Sequence, residues 1–184
     1  MRKLAATVFG AALILGACAG TEKISGPVPS ATSGGAAVPC VSSDLVLSVR
    51  VPDDERAAAG FIVVDINAAH ARGCTIEGYP KVTFSQDSDG TPLGDPAEQQ
   101  PGTTESLRVT PDRALSVVLQ LRDMSAFGSD CEPMHVSGLS ITPPGGHGTQ
   151  FVEYPATVCT NLDTPMLKVW PVGVSLDDIQ QATR

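Results

Sequence analysis

Beyond Cys40 the chain alternates apolar and polar residues with period two, the signature of half-buried β-strands. In "DLVLSVRV" the residues Leu45, Leu47, Val49 and Val51 share one face. In "IVVDIN" the shared face is Ile62, Val64 and Ile66; in "KVTFSQ" it is Val82 and Phe84; in "SLRVT" it is Leu107 and Val109. "ALSVVLQLR" turns Leu115, Val117, Leu119 and Leu121 inward, and "LSIT" (Leu139, Ile141) and "LKV" (Leu167, Val169) complete the series. No long stretch carries a 3.6-residue period, and only "SLDDIQQATR" offers a short, frayed helix.

Turn residues separate these runs. Asp89-Gly90 is a hairpin signal, because glycine accepts the positive φ of a tight turn. Pro111 in Thr110-Pro111-Asp112-Arg113 fixes φ where a type I turn requires it. Around Gly138 the apolar register moves from Met134/Val136 to Leu139/Ile141, which predicts a β-bulge. Seven to nine short strands at this spacing predict an all-β, antiparallel β-sandwich over residues 40–175, with 176–184 as a C-terminal tail; a barrel is the secondary alternative. Trp170 falls in the last strand rather than against a central disulfide, so the predicted sandwich is immunoglobulin-like in its layers only.

The N-terminus follows another pattern. Arg2 and Lys3 precede an apolar run, 4–15, which is too short to span a bilayer as a stable helix. Residues 1–17 therefore read as a secretory leader. Leu15-Gly16-Ala17 runs directly into Cys18 and resembles the bacterial lipobox, in which the cysteine thiol takes a diacylglycerol and becomes residue one after cleavage. Each buried methylene contributes about 0.8 kcal/mol, so two or three acyl chains hold where one does not. Residues 18–39, rich in Gly, Ser, Thr, Ala and Pro, read as the lipidated cysteine and a flexible tether with a mean reach of about 25 Å. An edge strand is conceivable there only at residues 38–41.

Charge and composition narrow the partners. Aromatic residues make up 4% of the 184 residues, and the formal charge is −8. Without the leader's Arg2 and Lys3, about ten basic residues face 20 acidic ones, which excludes nucleic acid as a partner and keeps the domain off an anionic membrane surface.

Five cysteines leave an odd one, and Cys18 accounts for it as the anchor. Cys40, Cys74, Cys131 and Cys159 then belong to disulfides in an oxidising compartment. Spacing leaves three pairings open; the sequential one, Cys40–Cys74 with Cys131–Cys159, is favoured. The clustered spacing of zinc ligands is absent, as is the C-x-x-C of redox enzymes.

Cys40, Ala58-Ala59-Gly60, Asn67, Cys74 and Gly78-Tyr79-Pro80 begin a recognisable series. It continues through Asp89-Gly90, Thr110-Pro111, Cys131-Glu132-Pro133, Pro143-Pro144 and Cys159 to Val169-Trp170-Pro171-Val172. The series resembles the actinobacterial domain of unknown function 4232, found in exported proteins and lipoproteins, over about residues 38–174. Asp112 departs from it, since a glycine is commoner after that proline. The resemblance implies a β-sandwich with sequential disulfides, and no activity.

Candidate chemistry is sparse. The nucleophile elbow, H-E-x-x-H and P-loop patterns do not occur. "GGHGTQ" lacks the last glycine of a dinucleotide fingerprint, because Phe151 stands there. "QDSDG" has an acidic look, but aligned as a calcium loop it puts Ser85 and Pro96 where carboxylates belong, so a hairpin is expected. Met134, His135, His147 and Met166 are the residue types that would collect copper. The pattern around them instead puts Met134 in the core, His135 in water and His147 on a glycine-rich loop. His70 completes the histidines, and no cue assigns any of them to a catalytic triad. Asp53-Asp54-Glu55-Arg56 reads as a solvated turn.

The sequence thus predicts a lipid-anchored cell-envelope protein on the outer face of the cytoplasmic membrane. It would be non-catalytic and without a cofactor, displaying a sandwich whose loops, such as 143–148, meet an envelope protein or small ligand. A metal- or small-ligand-binding protein is the alternative, and an envelope hydrolase ranks below both.

Overall fold

Valine, isoleucine and leucine in strict alternation build the centre of the molecule, because every second side chain of a strand faces the same way. The structure, a computed structural model, describes residues 38–159 and 162–182. The strands are β1 (Leu45–Arg50), β2 (Phe61–Ala68), β3 (Cys74–Ile76), β4 (Lys81–Ser85), β5 (Pro92–Leu93) and β6 (Glu98–Gln99). They continue with β7 (Leu107–Val109), β8 (Leu115–Leu121), β9 (Pro133–Thr142), β10 (Gln150–Cys159) and β11 (Leu167–Val169). Two short helices, α1 (Glu55–Ala58) and α2 (Leu176–Ala182), and two 3₁₀ segments accompany them. Among the described residues, no helix is long and apolar enough to cross a membrane.

The strands form three sheets. The first runs β1-β2-β8-β11-β6, antiparallel except for the parallel β11–β6 pair; the second is antiparallel and runs β10-β9-β4-β5; the third pairs β3 with β7. In the first sheet Val49, Val64 and Val117 line up across three strands, and Leu47, Ile66 and Leu115 form the next row. In the second, Val82 pairs with Ile141 and Phe84 with Leu139. These rows from both sheets close one core, where Leu119, Leu139, Val158 and Val169 have no solvent exposure. The chain is therefore an all-β domain, and each run of alternation named above lies within or overlaps one of its strands.

Disulfides join Cys40 to Cys74 and Cys131 to Cys159, the sequential arrangement, with Cα–Cα separations of 5.0 and 5.1 Å. The first ties the start of the domain to β3. Beside it Pro39 bridges Thr75 in parallel, so the chain at 38–40 is a short edge segment. The second ties the start of β9 to the end of β10.

Four features differ from the sequence reading. The described strands number eleven rather than seven to nine: β3 is a further strand that was not expected, and β5 and β6, of two residues each, are too short for alternation to register. β10 escapes it because Tyr154 and Pro155 interrupt its period. They also form the bulge, the two of them standing opposite Ser137 alone: Glu153 pairs with Gly138 and Ala156 with Val136. The bulge expected at Gly138 is thus carried by the strand opposite, where proline's missing N–H costs no ladder bond. A Cβ at Gly138 would lie 2.3 Å from the Val152 carbonyl oxygen and 2.6 Å from the Phe151 ring, so close packing requires the glycine. Finally, the segment read as a tail beyond 175 forms α2 and buries Leu176 and Ile179 against Val63 and Val118, on the face of the first sheet away from the main core.

Candidate functional site

Glycines and a self-capped helix shape a substantial concavity on the side of the first sheet that α2 covers. Ser175-x-x-Asp178 forms a capping box that starts α2. The Asp178 carboxylate accepts from the Ser175 hydroxyl (2.6 Å) and N–H (3.0 Å), while the Ser175 hydroxyl accepts from the Asp178 N–H (3.2 Å). The Ser175 hydroxyl and then its N–H hold the Asp178 carboxyl below the usual carboxylate range. Arg56 of α1 reaches Asp177 at 3.0 Å and is itself paired with Asp54, so the charged turn at 53–56 braces α2. Such exposed pairs contribute little energy but limit where the helix lies.

Opposite α2 runs the irregular segment 100–106. The Gln100 N–H donates to the Val169 carbonyl (2.9 Å), and the Tyr79 hydroxyl donates to the Gln100 carbonyl (2.7 Å). Gly102 lies against Pro171, where a Cβ would stand 2.7 Å from the ring. Gly173, at φ 92°, leaves room for Leu107, whose Cδ1 would be 2.4 Å from an added Cβ. Trp170 forms part of the floor, its ring 6.0 Å from that of Phe61 and tilted by 43°.

The result is a groove of about 590 Å³ between α2 and this segment. Leu107, Trp170, Val172, Val174, Ile179 and Ala182 supply its apolar lining; Gln100, Thr103, Glu105 and Asp178 are its polar members. Its volume lies within the range of small-molecule sites, and an apolar lining with few polar groups is their usual composition. A second hollow of about 530 Å³ lies beside the first disulfide, at Val38, Asp44, His70 and Arg72. A smaller, polar cleft of about 210 Å³ sits between Arg56 and Ser116.

The residues singled out from sequence are spread over the surface. Cys18 lies outside the described residues, as does the tether up to residue 37. His70, His135 and His147 are all exposed. His135 sits beside the Thr157 hydroxyl (3.0 Å) on the neighbouring strand. Met166 is buried in the core, and Met134 and His135, adjacent in β9, point to opposite faces. The copper set is therefore not gathered, and among the described residues no three His, Cys, Asp or Glu side chains converge. In "QDSDG" the Asp89 carboxylate accepts from the Thr91 N–H and hydroxyl, both at 2.8 Å, closing a hairpin at Gly90 (φ 77°). The Thr91 backbone bond and then its hydroxyl hold the Asp89 carboxyl below its ordinary range.

In the loop 143–148, Gly145 and Gly146 stand in open space, whereas its base is tied down by the Ser42 N–H donating to the His147 carbonyl (2.9 Å). It is a protruding turn, and its first residues, Pro143 and Pro144, close a small hollow inside the domain. The groove escaped the sequence reading. Its signal was the doubled valines Val63-Val64 and Val117-Val118, which make strands apolar on both faces and require a cover on each.

A disulfide-braced all-β domain that carries an apolar groove is thus the class of protein that the geometry defines. The chain belongs to the family described as a domain of unknown function, DUF4232, whose model matches residues 40–173. That span holds both disulfides and the groove's floor, but not α2. Comparison with curated proteins and with solved structures gives no match.

Proposed function

We propose that this protein is a cell-envelope lipoprotein that binds a small apolar ligand without transforming it. In this reading Cys18 carries the lipid, residues 19–37 tether the domain to the outer face of the cytoplasmic membrane, with 38–40 already part of the domain edge, and the two larger sheets form an immunoglobulin-like sandwich. The ligand lies in the groove between α2 and residues 100–107. The observation that carries the binding role is the groove itself: about 590 Å³, floored just beyond β11 by Trp170, which packs on the satellite core, and by Val172, which belongs to the main core. A rigid floor with pre-formed walls loses little freedom on binding. The Leu15-Gly16-Ala17-Cys18 sequence supports the anchor, and two disulfides suit an oxidising exterior.

The anchor is tested by growing cells that express the full chain with a labelled fatty acid. The wild-type chain is expected to take up label and Cys18→Ala to take up none. Absence of label in the wild-type chain overturns the lipoprotein reading.

The second reading, recognition of an envelope protein through the loop 143–148, is favoured by the free space around Gly145 and Gly146. It predicts that bulky substitutions at those two positions abolish capture of the partner while leaving the groove intact.

A further inference from the structure

We infer that the groove selects a small organic cation: an apolar, preferably aromatic body carrying a positively charged amine or quaternary ammonium. The inference rests on the groove reading above and names its ligand class. Charge and chemistry of the lining carry it. Two carboxylates, Glu105 and Asp178, border an apolar floor, and among the described residues no lysine, arginine or histidine lines the groove. Asp178 commits one carboxylate oxygen, Oδ2, to Ser175 as the helix cap, while Glu105 is solvent-exposed at the rim. An anion entering here would meet two like charges with no compensating cation, and a neutral apolar body would leave the carboxylates unused.

Trp170 adds the second element. Tryptophan has the most negative ring face of the aromatic side chains, and a cation over it gains about 0.5–1 kcal/mol at an exposed site and about 2 kcal/mol when desolvated. The Trp170 ring is half-buried, packed on Phe61, and contributes to the groove lining. The net charge of −8 draws cations toward the domain as a whole. Apolar surface supplies affinity, and the carboxylates with the indole face supply the sign of charge.

Trp170 is the only tryptophan of the chain, so its fluorescence reads the site directly. The experiment titrates the purified full-length chain with benzyltrimethylammonium, with benzyl alcohol as the neutral counterpart and with phenylacetate as the anion. The cation is expected to change Trp170 emission saturably. Benzyl alcohol should bind about 5-fold more weakly, as the loss of one exposed cation–π contact predicts, and phenylacetate should give no saturable change. Glu105→Gln should weaken the cation several-fold and leave benzyl alcohol unchanged, a split that general loss of structure would not produce. Raised salt should weaken only the cation. Equal response to all three probes overturns the charge selectivity and leaves an apolar groove. No saturable response to any probe overturns the groove as a binding site. Neither result bears on the anchor, which the fatty-acid label reads separately.

Discussion

The ring of Trp170 packs on that of Phe61 at a centroid distance of 6.0 Å, on the side of the first sheet that α2 covers. This contact joins the end of β11 to the start of β2 and sets one wall of the satellite core in which Val63, Val118, Leu176 and Ile179 are buried. Because the indole lines the groove as well, the packing of α2 and the shape of the groove are one structural problem.

Ile179 is the test of that coupling. It is 7% exposed, and truncating such a residue to alanine costs about 2 kcal/mol or more where the site does not collapse. Ile179→Ala should loosen α2 first, since a helix of seven residues holds only through its packing. The expected outcome is a red shift of Trp170 emission and a loss of cation binding, with the main thermal transition lowered only slightly. Val117→Ala, deep in the main core, should lower that transition without a prior change in Trp170 emission.

Acid should act on the same helix through its cap. The Asp178 carboxyl lies below its ordinary value of 3.8 because the Ser175 hydroxyl and N–H bond its charged form. A group whose folded pKa is depressed adds stability above the unfolded value, and loses it as pH falls through the folded value. Trp170 emission should therefore hold constant from neutral pH down to about the ordinary carboxylate range and change below it. Asp178→Asn should remove that acid step and lower helicity at neutral pH. Circular dichroism and fluorescence followed against pH read both.

The disulfides make a separate prediction. They close loops with sequence separations of 34 and 28, and on the chain-entropy model each is worth about 3.5–4 kcal/mol. Replacing Cys131 and Cys159 together with alanine should lower the free energy of unfolding in urea by about that amount. The same replacement of Cys40 and Cys74 should also free the edge segment at 38–40, which bonds Thr75 on both sides of Pro39. That second variant should show faster amide exchange at Thr75 than the first.

Strands were legible in the sequence wherever one face is buried and the other wet, as in β1, where Leu45, Leu47 and Val49 face in while Val46 and Ser48 face out. β10 was not, because its bulge at Tyr154-Pro155 resets the alternation halfway along. α2 was read as a short frayed helix rather than as part of the core. A seven-residue amphipathic segment carries too few apolar positions to show which surface it covers, and its partners Val63 and Val118 lie more than fifty residues upstream. The groove was illegible for the same reason: residues 100–107, 170–174 and 176–182 meet only through the order of strands in the first sheet, which local alternation does not encode.

The central claim is that ligand recognition sits in the groove beside Trp170. Backbone amide chemical shifts of the full-length, nitrogen-15-labelled chain, recorded during titration with benzyltrimethylammonium, test it most directly. The account predicts saturable shifts confined to residues 100–107, 170–174 and 176–182, together with the indole N–H of Trp170. Shifts centred on the loop 143–148 or beside His70, or no saturable shift at any residue, would contradict it.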